Sequence, residues 1–382
     1  MAKLFGTEYT KDQLLRHVGS MDQVGGARKV RLDEGNEQGS EAILFRTGTG
    51  FSFTALAGRA LDISSADYCG QSLCWRAPVG DTAAAFYEPD GLGWLRSFFG
   101  GLVCTCGMSY AGAPHIDPDT GEGFPTYATD AAGRLQWSPT GSIGLHGRVS
   151  NLPAKHLSLS EWWEGDDYWM SVYGEMREAV LFGTNLLLRR TVKAKLGESK
   201  IWVHDEVQNE SFAPQEHMFL YHCNFGFPVI ATGAEYLINA RESRPRDAAA
   251  APHFDTWAQF PAPIAGVEEW VYYHDLACDA DDNVWVAMAN RGFAGGRGFG
   301  AYLKFNKRQM PYFIQWKMPG EGTYVTGLEP ANCLVEGRVK DRDEGRLVVL
   351  EPGEVRSYDL EIGVLAGNAE IDEVAATIAA LS

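Results

Sequence analysis

Basic residues are scarce in this chain: 33 Lys and Arg stand against 50 Asp and Glu, a formal net charge of −17. Phosphate neutralisation needs clustered Lys and Arg, so nucleic acid is excluded as a partner. The same balance suits a small neutral ligand. Long apolar runs are also missing. Stretches such as Ala179–Phe182 and Leu347–Leu350 fall far short of the ~20 residues that cross a bilayer, and no membrane partner is expected. Met1–Leu15 carries no apolar stretch of the kind a secretory leader needs. The seven cysteines form no C-x-x-C pair, and their odd number leaves at least one thiol unpaired. A reducing, cytoplasmic setting is therefore expected. Strands do not alternate with long helices, which argues against a doubly wound α/β fold. No His-x-His occurs, and His217 and His222 fall on opposite sides of a regular strand; no metal is expected. Nothing in the sequence signals an oligomeric state.

What is abundant points to β-structure. The chain has 43 Gly, 11 Trp and 15 Tyr, a turn-rich and aromatic composition that fits a β-rich carbohydrate protein. Ala42–Arg46 and Phe51–Ala57 flank Thr47–Gly50 and predict a hairpin. Tyr168–Met176, Leu186–Leu196 and Ser199–Asn209 predict a meander. Met218–Cys223, Val284–Ala289, Ala301–Phe305, Tyr312–Trp316 and Arg346–Leu350 add further strands. Helices are predicted only near the ends, over 10–18 with Thr10 as N-cap and over Ala369–Leu381. The expected fold class is all-β, a single large antiparallel domain over 1–382 with its core at about 40–365.

Several superficial motifs fail on mechanism. Gly295–Gly300 leads into a strand and lacks the Lys-Ser/Thr of a phosphate loop, so it reads as a hairpin loop. Gly107–Ala111 lacks the second glycine of a nucleophile elbow. Asp117–Gly121 begins like a calcium loop but has Gly at the third ligand position, and reads as a polar turn. Cys104 and Cys106 have no partner at metal-ligand spacing, and read as buried thiols.

Three segments survive: Ser142–Arg148, Phe219–Phe225, and Ile314–Lys317 followed by Tyr324–Asn332. Residues two apart on a strand share a face. His146 is thus paired with Arg148, His222 with Asn224, and Gln315 with Lys317, while Leu145, Tyr221, Ile314 and Trp316 are expected in the core. Three polar pairs on one sheet face would offer a sugar its hydrogen-bond partners. Arg148, Asn224, Gln315 and Lys317 are accordingly substrate-binding candidates. Arg59, Asp62, Arg96 and Asp275 join them as charged residues beside apolar segments, and Trp75, Trp94 and Trp316 as aromatic surfaces for a sugar's C–H face. Taken singly, His146 also reads as a turn residue, His222 as a core histidine and Glu329 as a strand end.

These segments resemble the signature sites of the aldose 1-epimerase (galactose mutarotase-like) superfamily. Leu145-His146-Gly147 is similar to the family's first histidine motif at the end of a strand. Leu186–Phe227 resembles its central block, ending in His222-Cys-Asn-Phe225. Gly327-Leu-Glu329-Pro330 resembles the C-terminal glutamate region, one residue shorter between Gly and Glu. Gly58–Asp62, Phe99–Gly107 and Asn332 depart from the galactose enzymes and look like a separate aldose 1-epimerase-like branch. The family's sugar-binding arginine and aspartate have no unambiguous counterpart.

The resemblance implies a β-sandwich of the galactose mutarotase type, a small carbohydrate substrate and no cofactor. It implies Glu329 as general base, His222 as general acid on the opposite side of the anomeric carbon, and His146 steadying the ring oxygen. Lys317 and Arg148 leave room for an acidic or phosphorylated sugar. Two alternatives stay open: isomerisation at another sugar carbon, and a carbohydrate-binding protein without turnover. Specificity is expected in 76–98, 110–140 and 240–270.

Overall fold

The computed structural model describes residues 1–117, 126–129, 132–133, 135–138, 143–181 and 183–382. Residues 118–121 of the expected polar turn, 118–125, 130–131, 134 and 139–140 of the 110–140 stretch expected to set specificity, Ser142 and Phe182 lie outside these residues.

Two large antiparallel sheets carry the fold. The first runs, in spatial order, through Lys155–Glu164, Asp167–Ala179, Asn185–Lys195, Lys200–Asn209, Val355–Leu365, Phe299–Asn306, Asn283–Asn290 and Glu235–Leu237. The second runs through Ala240–Pro245, Trp270–Leu276, Tyr312–Gly320, Thr323–Ala331 and Gln215–Phe225, with Cys104–Met108 and Val348–Leu350 both pairing that last strand. A smaller five-stranded sheet holds the Glu41–Arg46 and Phe51–Leu56 hairpin. Each predicted strand has a counterpart here that it overruns by at most two residues, the largest overrun being Arg346–Leu350, of which only Val348–Leu350 forms strand. The terminal helices form over Lys11–Leu15, where Thr10 and Gln13 make a reciprocal capping box, and over Asn368–Ala379. Of the segment Gly295–Gly300, expected as a hairpin loop, 295–298 lie in the connection between the paired strands Asn283–Asn290 and Phe299–Asn306, while Phe299 and Gly300 already belong to the second strand.

The second sheet is covered on both faces, and this positions the site. Phe219, Tyr221, Phe225 and Leu328 pack inward with Val172, Val192, Val203 and Ile362 of the first sheet. Met218, Leu220, Val271 and Ile314 pack outward under Trp94, Phe98 and Phe99. Alternation along each strand therefore sorts residues between two buried environments, not between core and water. A polar network ties the layers together: Arg190 bridges Asp62 at 2.7 Å and Asp205 at 2.6 Å, and Tyr221 donates to Asp205 at 2.7 Å.

Candidate active site

The outward face of the second sheet opens into a cavity of about 600 Å³, within the range of small-molecule sites. Its floor is formed by neighbouring strands. Ile314 stands opposite Glu329 in register, and Trp316 opposite Gly327. The adjacent strand, pairing Asn224 with Gly327, brings up His222. The walls come from the 75–98 segment, including Trp75, Trp94 and Phe98, and from the turn that carries His146.

Glu329 and His222 are both buried, and Glu329 Oε1 stands 3.2 Å from His222 Nε2. Among the described residues no hydrogen-bond donor is aligned on that oxygen. The tautomer of His222 follows from its other nitrogen. Asn224 donates its amide to Gly100 O at 3.1 Å and to His222 O at 2.9 Å, so its Oδ1 is left to accept from His222 Nδ1–H. The Nε2 lone pair then faces Glu329. Burial pushes the Glu329 carboxyl well above its ordinary range, with the Glu269 charge acting in the same direction and Arg246 against it. Burial pushes His222 down to about 4. Both shifts favour uncharged forms, so the proton the pair shares sits on the carboxyl and the pair carries no net charge.

Gly327 makes room for this carboxyl. A Cβ placed there would stand 2.2 Å from Glu329 Oε1. His146 is set by a different device. It adopts φ 56 and Gly147 φ 72, two successive left-handed residues that turn the imidazole toward the cavity. A Cβ at Gly147 would meet Tyr110 O at 2.3 Å and Gly107 O at 2.6 Å, so only glycine fits. The Gly112 N–H donates to His146 Nδ1 at 3.3 Å, leaving Nε2–H as the donor the ring can offer a ligand. Burial, then the neighbouring His222 and Arg246, hold this imidazole down to about 3, hence neutral. Its ring centroid lies 5.8 Å from that of His222 and 4.9 Å from that of Trp94.

The remaining candidates divide differently from the expectation. Asn224 does share a face with His222 and acts on it directly. Gln315 and Lys317 point to the opposite face from the cavity, whereas Trp316 and Ile314, expected in the core, line it. Gln315 bonds His274 at 3.0 Å and Trp257 O at 2.9 Å. Lys317 donates to the carbonyls of Thr256, Trp257 and Gln259, at 2.7 Å for the last, inside a cage of Tyr236, Phe260, Trp270 and Tyr272. Burial holds its ammonium down to about 7. Parity correctly put these two side chains together but could not say which buried face was hollow.

Arg148 and His146 are not related by strand parity, since 145–146 is a turn between isolated bridges at Ile143 and Gly147. The Arg148 charge acts on Glu178 and Tyr87, and the described cavity lining does not include it. Arg59 is buried and donates to the carbonyls of Ser150, Thr82 and Ser97, which pins the wall segment in place. Asp62 is buried against Thr105 and Arg190. Arg96 is exposed and pairs with Glu88 at 3.2 Å. Asp275 pairs with Lys307 at 2.6 Å and borders a separate groove.

Two charged cavity residues, Arg246 and Glu269, escaped the sequence reading. Arg246 bonds Asp247 at 2.7 Å and Glu269 at 3.0 Å, and Trp316 Nε1 donates to the other Glu269 oxygen at 2.8 Å. Arg246 directly follows the edge strand Ala240–Pro245 and Glu269 directly precedes Trp270–Leu276, in a 240–270 stretch that was expected as a loop and whose local pattern marks neither residue. The seven cysteines are all free thiols. No group of His, Cys, Asp and Glu among the described residues is arranged to hold a metal ion, and no described helix is long and apolar enough to cross a membrane.

Comparison with known proteins follows the same lines. A family model described as "Domain of unknown function (DUF4432)" matches residues 37–364. No curated protein sequence matches the chain. Among solved structures, a "putative aldose 1-epimerase" from Klebsiella pneumoniae is 23% identical with a TM-score of 0.82, over 94% of this chain and 90% of its own. A galactose mutarotase-like protein from Clostridium acetobutylicum is 11% identical with a TM-score of 0.59, over 90% of this chain and 99% of its own. Galactose 1-epimerase from Lactobacillus acidophilus is 12% identical with a TM-score of 0.54, over 90% and 99%. The architecture is the galactose mutarotase-like sandwich.

Proposed function

The chain belongs to the DUF4432 family, and we propose that it is an aldose 1-epimerase-like enzyme that interconverts the anomers of a reducing sugar. The observation that carries this reading is the buried Glu329–His222 pair at 3.2 Å on the cavity floor, beside a neutral His146 on the wall. Mutarotation needs one proton taken from the anomeric hydroxyl and one given to the ring oxygen as the C1–O5 bond breaks and C1=O1 forms. Rotation about C1–C2 and re-closure on the other face run both transfers backwards. The two oxygens share one carbon, so an acid and a base side by side can each meet one of them. This differs from the expected arrangement on opposite sides of the anomeric carbon. The pair holds a single proton: the member that carries it donates to the ring oxygen while the other accepts from O1–H. Burial favours Glu329 as the first donor, the reverse of the role the resemblance implied. His146 Nε2–H is suited to steady a sugar oxygen, and Asn224 acts by fixing the His222 tautomer.

The substrate on this reading is a small carbohydrate, and seven free thiols support a reducing, cytoplasmic setting. The mechanism needs no cofactor. Polarimetry on freshly dissolved α-pyranoses tests it. Relaxation of optical rotation should accelerate with wild type and not with Glu329→Gln. In D2O no deuterium should enter a sugar C–H position. Deuterium at carbon would move the assignment to isomerisation elsewhere on the sugar. Sugar binding without acceleration would make the protein a binder.

A further inference from the structure

The polar inventory of the cavity is short, and it narrows the substrate. Among the described residues, the lining side chains with polar groups other than indoles are His146, His222, Arg246, Glu269, Thr323 and Glu329. Three of these face the anomeric chemistry. Arg246 and Glu269 are bonded to each other, and Arg246 also to Asp247. Trp94 and Trp316 already spend their indole N–H groups on Ser150 at 3.0 Å and Glu269 at 2.8 Å. Apart from the Trp75 indole, the rest of the described wall is apolar, with Val271, Ile314, Met318 and Val325 on the sheet and Val79 and Leu145 on the loops. Apolar character extends to the mouth, where Leu92 and Leu95 line the cavity yet remain 59% and 49% exposed. Against the described side chains, a fully hydroxylated hexose entering here has more hydroxyls than partners, which costs binding.

Charge points the same way. Among the described lining residues the one Lys or Arg is Arg246, and it is paired with Asp247 and Glu269, so these three groups together carry a net charge of −1. The cations that would have suited an acidic sugar are elsewhere: Lys317 is bonded to three carbonyls on the other face of the sheet, and Arg148 acts on Glu178. A carboxylate or phosphate on the sugar would meet the like charge of the exposed Glu269 on this wall.

We propose that the substrate is a neutral reducing sugar in which one or more hydroxyls are replaced by hydrogen or capped by an apolar group, such as a deoxy-sugar, and not a uronate or a sugar phosphate. This rests on the anomer-exchange reading for its chemistry. An apolar pocket discriminates against an added hydroxyl by at most about a hundredfold, so the preference per hydroxyl removed should lie at about ten- to a hundredfold in kcat/KM. The test is NMR anomer exchange with glucose and galactose, each beside its 2-deoxy, 6-deoxy, 6-uronate and 6-phosphate forms, using the full-length chain. At least one deoxy form accelerated tenfold or more over its parent, with the acidic forms not accelerated, supports the proposal. Equal rates for the parent sugars, or faster exchange of an acidic form, overturns it while leaving the reaction in place. If no sugar exchanges faster, the reaction assignment falls, and saturation-transfer binding on the same panel decides the ligand class: deoxy forms bound best keep it, any other order overturns it.

Discussion

Substituting Gly327 by alanine tests whether the position of the Glu329 carboxyl, and not merely its presence, sets the rate. Gly327 has ordinary extended backbone inside the strand Thr323–Ala331, so alanine is conformationally acceptable there. The new methyl would stand 2.2 Å from Glu329 Oε1 and 3.1 Å from its Cδ, whereas ordinary contact begins at 3.4 Å. The carboxyl must therefore retreat by about 1 Å, and it is the far end of a flexible side chain, able to do so without moving the strand. A misplacement of about 1 Å at a reacting group costs on the order of 10²-fold, or about 2.7 kcal/mol of transition-state stabilisation. Folding should move the other way, since alanine in place of a strand glycine gains about 0.5–1 kcal/mol. The expected outcome is a roughly hundredfold lower kcat in anomer exchange, with a melting temperature equal to or slightly above wild type. Adding Glu329→Gln to Gly327→Ala should cost no more than Glu329→Gln alone, because both act on the same group. Activity within about twofold of wild type refutes the reasoning. So does a rate loss matched by a fall of many degrees in melting temperature.

Other consequences are as specific. Gly147→Ala, which would force a methyl against two backbone carbonyls at φ 72, should destabilise by at least about 2 kcal/mol in urea denaturation; a smaller loss would contradict the account of the His-Gly turn. Lys317→Met removes donors to three carbonyls but nothing from the cavity, so stability should fall by about 1–3 kcal/mol while kcat/KM of the folded enzyme stays within about threefold. His217, bonded to Met108 O at 2.8 Å and Tyr358 Oη at 2.7 Å, is held down to about 4 by burial. Its folded value lies below the unfolded one of about 6.5, so the stability it contributes while neutral is full above pH 6.5 and is lost as pH falls toward 4. The stability gap between wild type and His217→Gln should therefore shrink by about 2 kcal/mol from pH 6.5 to 5, and a constant gap would show that the histidine is not buried neutral.

The sequence made the strands legible because alternation survives wherever two faces differ, and both terminal helices announced themselves by cap and spacing. Asn224 was legible with His222 for the same reason. Parity failed at Gln315 and Lys317 because both sides of that strand are dry, and the polar side chains there are satisfied by loop carbonyls that no local pattern reveals. It failed at Arg148 because the backbone turns left-handed at His146, where period two has no meaning. Arg59 and Asp62 carry the composition of binding residues but serve as buried ties between layers, a use that depends on partners such as Arg190 and Ser150, about ninety or more positions away in the chain. Arg246 and Glu269 reach the cavity through pairing at the edge of the sheet, and nothing near them in sequence marks them.

Two-dimensional NMR exchange on an equilibrated reducing sugar, with wild type, Glu329→Gln and His222→Gln, tests the central claim most directly. The account predicts anomer cross-peaks that grow faster with wild-type protein and fall by at least about 10²-fold in rate with either variant. Exchange that persists in both variants would contradict it, because the catalytic proton would then not belong to this pair.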